Sequence, residues 1–197
     1  VTAFLTSMDQ PLGEWIGNSV EIDECVEILK GEKKYSDTLE LSLQLSAEML
    51  RLTKIATTFE EGYEKAKTAI DSGQAFEKFE QMVIHQGGRL QDLPRPTKYL
   101  EIKTTQGGFA ESFQTKEIGM AGIVLKAGRE KTSDQINPVA GIRVHKKIGD
   151  KVSPGDTMFT IFSNDTLYFN EAEDRLKNAI HIGEEKKPFQ LLKQIIR

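Results

Sequence analysis

GGRLQDLPRP, residues 87–96, divides this sequence into two halves of different character. The stretch begins with two glycines, carries two prolines near its end and has no hydrophobic periodicity, which indicates a loop between domains. Apolar residues recur at helical spacing before it, and short apolar runs alternate with turn residues after it. The sequence therefore predicts an α+β fold, with a mainly helical domain over residues 1–94 and a β-rich domain over residues 95–197.

The helical half is predicted to contain four helices after an opening strand at Val1–Thr6. Asn18 and Glu21 have the spacing of a capping box, and Gly31 can end the first helix. The other three are predicted over residues 37–56, after a Thr58 cap, and over residues 75–86. The apolar stripe of the first helix is predicted from helical spacing to be Ile22, Cys25, Val26 and Leu29.

The β-rich half is predicted to alternate short strands with turns such as Gly149-Asp150 and Pro154-Gly155-Asp156. One helix interrupts the strands over residues 116–126, with Thr115 as its cap and Gly128 as its stop. A later helix is predicted over residues 167–179, and the character of Phe189–Ile196 is left open. The predicted strands are Tyr99–Thr104, Gly108–Gln114, Gly141–His145 and Met158–Phe162.

Composition excludes several classes of function. With 26 basic and 30 acidic side chains, a net charge of −4 argues against a nucleic-acid binder. No apolar run has the length of a membrane span, and one cysteine allows no internal disulfide, so a reducing cytoplasm is expected. The missing initiator Met suggests a piece of a longer protein. The lysine pairs at 33–34, 146–147 and 186–187 are interpreted as solvated surface.

Several short motifs, in order along the chain, carry a resemblance to a known family. The run Met8-Asp9-Gln10-Pro11-Leu12-Gly13, followed by Ile16-Gly17-Asn18-Ser19-Val20-Glu21, is similar to the pyrimidine-nucleoside (thymidine) phosphorylase family. Further matches lie in the β-rich half. These are Gly107–Glu111, Ala127–Arg129, Ile148–Val152, Gly155-Asp156 and Ile161–Asn164.

The resemblance implies a plan and an activity. The chain would be the helical remainder of an α/β domain followed by a barrel-sandwich-hybrid domain, both from the C-terminal part of the enzyme. Phosphate, as co-substrate, would displace the base from C1′ of a pyrimidine nucleoside and give a pentose 1-phosphate. The resemblance also implies a homodimer. Its phosphate loop and its Arg-Ser-Lys base clamp match nothing in these residues, so the chain alone is expected to be inactive.

One site of the family has matching positions here. By resemblance, a monovalent cation, potassium, would be bound by the main-chain oxygens of Leu12 and Trp15 and by the carboxylate of Glu24. Oxygen ligands suit such a hard cation. The alternative is that Glu24, away from the predicted apolar stripe, is an ordinary solvated carboxylate. Trp15 is bulkier than the small residue usual there, and its burial between the first strand and the helix is favoured over a stacking role.

Other polar residues have competing interpretations. Arg129 and Lys131 could approach an anion when domains close, or Arg129 could simply pair with Glu130 or Asp134. The three histidines share no ligand spacing, and His145 is expected at a strand edge or turn. Cys25 is interpreted as a small core residue.

Two further classes of function stay open. The β-rich half resembles biotinyl and lipoyl carrier domains, although no lysine lies in the Met-Lys-Met context that such domains modify. A purely structural domain is the other alternative. An unmodified mass would argue against a carrier.

Overall fold

The computed structural model describes residues 1–32 and 36–196, which form two compact units. The first unit contains Val1–Thr6, Asp23–Leu93 and the segment from Leu191 onward. The second contains Ser7–Ile22 and Pro94–Gln190. Both helices and antiparallel sheets are present, so the predicted α+β class is confirmed.

The elements in chain order are β1 (Ala3–Thr6), β2 (Trp15–Gly17), α1 (Ser19–Lys30), α2 (Ser36–Leu52), α3 (Phe59–Asp71), α4 (Gln74–His85), β3 (Lys98–Lys103), β4 (Gly108–Phe113), α5 (Thr115–Val124), β5 (Gly141–Val144), β6 (Lys151–Val152), β7 (Thr157–Ser163), α6 (Phe169–Lys177), β8 (Ile180–Gly183) and β9 (Leu192–Ile196). No helix within the described residues is long and apolar enough to cross a membrane.

In the first unit, α2, α3 and α4 follow one another along the chain, and the main helix packing is α2 on α3. Gly62 of α3 lies so close to α2 that an added Cβ would be 2.6 Å from the Ala47 carbonyl oxygen. Thr58 caps α3 as predicted, because its hydroxyl accepts a hydrogen bond from the Glu61 amide at 3.1 Å. Beside these helices, β1 pairs with β9, which settles the open character of the C-terminal segment as a strand.

Helix α1 exposes a different face from the one predicted. Cys25 is exposed rather than part of a core. Besides Ser19 at its first position, the buried residues of α1 are Val20, Glu24 and Ile28, spaced four residues apart. The prediction assigned the stripe by hydrophobicity alone, and Glu24 breaks that rule because its carboxylate has a partner inside the protein. A buried charge is tolerated where it is hydrogen-bonded.

The second unit is built on two antiparallel sheets. One has four strands in the order β2-β5-β7-β3, and the other has three in the order β6-β4-β8. The predicted strands are confirmed as β3, β4, β5 and β7; the short strands β2, β6 and β8 are additions. The sheets and helices α5 and α6 enclose one hydrophobic core, whose largest fully buried side chains include Phe159, Ile118, Leu125, Ile142 and Ile161.

The ends of helix α5 correct two details of the prediction. Thr115 is its first helical residue rather than its cap, and Gln114 precedes it. The helix stops at Val124, and Lys126, not Gly128, takes the left-handed conformation with φ of 67°. The predicted turns at Gly149 and Gly155 do form, with φ of 90° and 91°.

Candidate functional site

The Gln10–Trp15 loop, residues 10–15, leads into strand β2, and its side chains and carbonyls attach it to the rest of the second unit. Gln10 is buried, and its amide oxygen accepts a hydrogen bond from the Ile148 backbone N–H at 2.8 Å. The carbonyl of Glu14 accepts from the Val144 backbone N–H at 2.7 Å. The loop is therefore fixed at one end to β5 and at the other to the segment that follows β5.

Between those two anchors, the loop binds an ammonium group. The side chain of Lys147 donates to the Pro11 carbonyl at 2.6 Å and also to the Gly13 carbonyl. The two acceptors flank Leu12, whose own side chain is exposed. Main-chain oxygens that accept no hydrogen bond from a helix or sheet suit a compact cation, and here the cation is the ammonium group of Lys147.

The lysine pair at 146–147 is therefore not solvated surface, and that interpretation is wrong. Lys146 also has acceptors, the Asp156 carboxylate at 2.9 Å and the Lys151 carbonyl at 3.0 Å. Lys187 does pair at the exposed surface, with Glu185. Lys33 and Lys34 lie outside the described residues.

Trp15 and Glu14 form a second attachment through Arg143 of β5. The Arg143 guanidinium donates two hydrogen bonds to one Glu14 carboxylate oxygen, at 3.0 Å and 2.8 Å. The same guanidinium lies 5.0 Å from the Trp15 ring centroid, and Trp15 packs on Phe162 of β7 at 5.3 Å between centroids. Trp15 is thus half-buried on a sheet, which corrects the expectation that it would lie between the first strand and the helix.

Glu24 lies on α1 in the first unit, whereas Leu12 and Trp15 lie in the second. Glu24 is only 6% exposed, and its carboxylate accepts a hydrogen bond from the Thr38 hydroxyl at 2.8 Å. The alternative of an ordinary solvated carboxylate is therefore wrong. A buried carboxylate has the charge and the oxygen atoms that a potassium ligand needs. The described residues contain no cluster of three or more His, Cys, Asp or Glu side chains suited to a metal ion.

The loop Gly128–Asp134 is organised by one carboxylate. Asp134 accepts from the backbone N–H groups of Glu130 at 3.1 Å and Lys131 at 2.9 Å. The hydrogen bond from Lys131 is the main cause that lowers the pKa of Asp134, and Arg129 adds a smaller electrostatic contribution. These contacts leave both interpretations of Arg129 as predictions.

The histidines are dispersed among the described residues. His145 follows β5 directly, at the strand end where it was expected, and its ring is 2.8 Å from the Thr160 hydroxyl. His85 ends α4, with its ring nitrogen Nδ1 2.7 Å from the Gln81 carbonyl. His181 is exposed, 3.9 Å from Glu111.

The motif Gly107–Glu111 has a structural explanation. An added Cβ at Gly108 would lie 2.2 Å from the Gly183 carbonyl oxygen, so β4 and β8 can approach only without that side chain. The Glu111 carboxylate then accepts from the Glu185 backbone N–H at 2.8 Å. The motif therefore shapes the three-stranded sheet.

Two family models match the chain at either side of its interdomain loop. The model described as the Glycosyl transferase family, a/b domain, matches residues 1–76. The model described as the Pyrimidine nucleoside phosphorylase C-terminal domain matches residues 109–183. The chain belongs to the pyrimidine-nucleoside phosphorylase family.

Curated relatives agree with this membership. A pyrimidine-nucleoside phosphorylase of Staphylococcus aureus strain bovine RF122 is 39% identical over 168 residues, which are 82% of this chain and 39% of the relative. The protein of that name from strain USA300 is 38% identical over the same length and shares. The chain thus spans about two fifths of the length of these phosphorylases.

Lys147, Arg143 and Glu14 are the residues of this site that sequence reasoning missed. Their partners lie more than a hundred positions away, so no local spacing reveals them. The available signal was the place of Lys147 just before the Gly149-Asp150 turn, within a stretch that resembles the phosphorylase family.

Proposed function

We propose that this chain acts as part of a pyrimidine-nucleoside phosphorylase. The reaction is the phosphorolysis of a pyrimidine nucleoside, thymidine and also uridine or deoxyuridine, to the free base and (deoxy)ribose 1-phosphate, in nucleoside salvage and catabolism. The observation that carries the proposal is the 39% identity over 168 residues with a protein named for that activity. The whole enzyme is proposed to be a cytoplasmic homodimer.

Within that enzyme the chain contributes no catalytic group of its own. Phosphorolysis needs an anion cradle for phosphate and polar groups that stabilise the departing base. The family's phosphate loop and base clamp match no stretch of these residues. The chain alone is therefore proposed to be inactive, and the groups that bind phosphate and base come from the part of the relatives that it does not match.

Its proposed contribution is a monovalent-cation site. The ligands are the main-chain oxygens of Leu12 and Trp15 and the carboxylate of Glu24, and the ion is potassium. Two features support this: the loop that carries Leu12 already binds a cationic group, and Glu24 is a buried carboxylate. Remaining ligands would again come from outside these residues.

The experiment is a chimera in which this chain replaces the matching segment of the Staphylococcus aureus phosphorylase. Purified chain and chimera are each incubated with thymidine or uridine, with and without phosphate, and release of base and pentose 1-phosphate is followed. We expect release by the chimera only, and only with phosphate. Release by the chain alone would place the reaction centre inside it, and an inactive but folded chimera would contradict the proposed reaction.

The cation ligand is tested in the same chimera. Glu24→Gln keeps the size of the side chain but removes its charge, and it is expected to raise the potassium concentration needed for half-maximal rate by about tenfold. Glu32→Gln, at an exposed acid near the end of the same helix, is the matched control. Equal potassium dependence in both variants would remove Glu24 from the site.

A further inference from the structure

We propose that the ammonium group of Lys147 takes the place of a bound monovalent cation and positions the Gln10–Trp15 loop. Its role is to hold, through the Pro11 and Gly13 carbonyls, the backbone that carries the Leu12 carbonyl. Lys147 is thereby a positioning residue for the potassium site, and in that respect the inference rests on the proposed function. The claim that its ammonium holds the loop stands on the hydrogen bonds alone.

The geometry suits a cation at this point. Two carbonyl oxygens, two residues apart, converge on one ammonium group, and both belong to a turn that includes Pro11 and a Gly13 with φ of 67°. Such backbone lies outside regular structure, so its carbonyls depend on partners from elsewhere. Hydrogen bonds from a charged donor are about twice as strong as neutral ones. Lysine's compact ammonium serves two acceptors better than a planar guanidinium.

Neighbouring contacts link the loop's position to this one group. The Gln10 side chain accepts a hydrogen bond from the backbone N–H of Ile148, the residue after Lys147. The Glu14 carbonyl accepts one from the backbone N–H of Val144, the last residue of β5. Among the described contacts of the loop, Lys147 is the charged group that ends on the turn itself, whereas Arg143 binds the Glu14 side chain that follows the turn. Removal of the ammonium is therefore expected to free the turn while its two flanking anchors weaken in consequence.

The first test uses the chain without substitution. Lysine side-chain ammonium groups are observed by ¹⁵N NMR, and the Lys147 signal is assigned by its loss in Lys147→Met. We expect slow solvent exchange for Lys147 and fast exchange for Lys151, whose side chain is exposed on β6. Exchange of Lys147 as fast as that of Lys151 would overturn the proposal.

The second test is rescue by a free cation. Lys147→Ala leaves space for an ion, Lys147→Met fills it, and Lys151→Met controls for loss of one charge. Backbone exchange is measured at Ile148, which reports the Gln10 contact, and at Gly149, whose N–H donates to Ala110 and serves as the internal control. We expect about tenfold faster exchange at Ile148 in both Lys147 variants and little change at Gly149.

Ammonium chloride should slow the Ile148 exchange again in Lys147→Ala and leave Lys147→Met unchanged. Tetramethylammonium at the same ionic strength should rescue neither, because it is too large and donates no hydrogen bond. Equal exchange in all variants, or rescue that does not distinguish alanine from methionine, would show that packing and not the charge holds the loop.

The functional arm uses the chimera. Lys147→Met is expected to raise the half-saturating potassium concentration about tenfold, whereas Lys151→Met leaves it unchanged. If the unsubstituted chimera shows no phosphorolysis, the proposed function fails while the exchange experiments still decide the role of Lys147. If the exchange results hold but potassium dependence does not move, Lys147 holds the loop without serving a cation site.

Discussion

Gly108 occupies a position that only glycine can fill, because its φ is 146° and the Gly183 carbonyl lies where its Cβ would be. We expect Gly108→Ala to lower the free energy of unfolding of the second unit by at least about 3 kcal/mol, since backbone strain and a backbone clash add together. Urea denaturation measures this. Gly107→Ala is the matched control, because its Cβ would come no closer than 3.3 Å to a Pro154 side-chain carbon and 3.7 Å to the Val152 carbonyl oxygen. Equal losses for both would contradict the explanation.

Two lysines take the left-handed conformation that ordinarily costs a residue with a side chain about 1 kcal/mol or more. Lys54 has φ of 62° and Lys126 has φ of 67°. Lys54→Gly should raise the free energy of unfolding by about 0.5–1 kcal/mol. Lys126→Gly should raise the free energy of unfolding by a smaller amount. It removes the contact of the Lys126 ammonium with the Tyr168 ring, whose centroid lies 5.2 Å away. A larger gain at Lys126 than at Lys54 in urea titrations would contradict this.

At the scale of elements, the loop Gly128–Asp134 should lose its order in acid. The folded-state pKa of Asp134 is below its ordinary value of 3.8, mainly because the carboxylate accepts from the Lys131 backbone N–H. The stabilisation is therefore complete above that ordinary value and is lost as the pH falls through the lower folded pKa. The Lys131 amide chemical shift should titrate with a midpoint below 3.8. A midpoint at or above 3.8, or the same titration in Asp134→Asn, would refute the assignment.

Most helices and strands could be predicted from sequence because their periodicity is local. Leu39, Leu41, Leu43 and Leu45 alternate as in a strand, yet this segment is helical, as predicted over residues 37–56. The helix buries Leu43 and Ala47 on one face. Strands β2 and β6 have three and two residues and are too short to show a period. They exist because longer strands, β5 and β4, give them partners.

The candidate site could be predicted only in part, for the same reason. The motif around Leu12 was found by resemblance, and Glu24 was found with it. The contacts that hold the loop were not, because they join residues near 12 to residues near 145. Hydrophobic spacing predicted that Cys25 is buried and that Glu24 is exposed on α1. In the structure Cys25 is exposed, and Glu24 is buried with a hydrogen bond from the Thr38 hydroxyl.

At the scale of the whole molecule, the two units differ in how much they bury. The hydrophobic core cluster lies within the second unit, whereas α4 of the first has no buried residue. Large apolar side chains such as Met49 and Ile55 are 59% and 62% exposed in the first unit. Burial of apolar area is the main source of stability, so the first unit should be the less stable.

Urea should therefore unfold the chain in two steps. Trp15, the single tryptophan, reports the second unit by fluorescence, and circular dichroism at 222 nm is dominated by the helices of the first. The dichroism transition should come at lower urea than the fluorescence transition. Coincident transitions by both probes would show instead that the chain unfolds cooperatively.

Strand β2 makes the second unit discontinuous along the chain. Its four-stranded sheet takes one edge from residues 15–17, which the gene encodes far ahead of residues 94–190. An excised piece of residues 94–190 would leave β5 as a bare edge, and exposed edges promote aggregation. A permuted gene that appends residues 7–22 after residue 190 through a flexible linker should stay monodisperse in sedimentation, whereas the excised piece should self-associate. The order of these strands along the chain is thus not their order in the sheet.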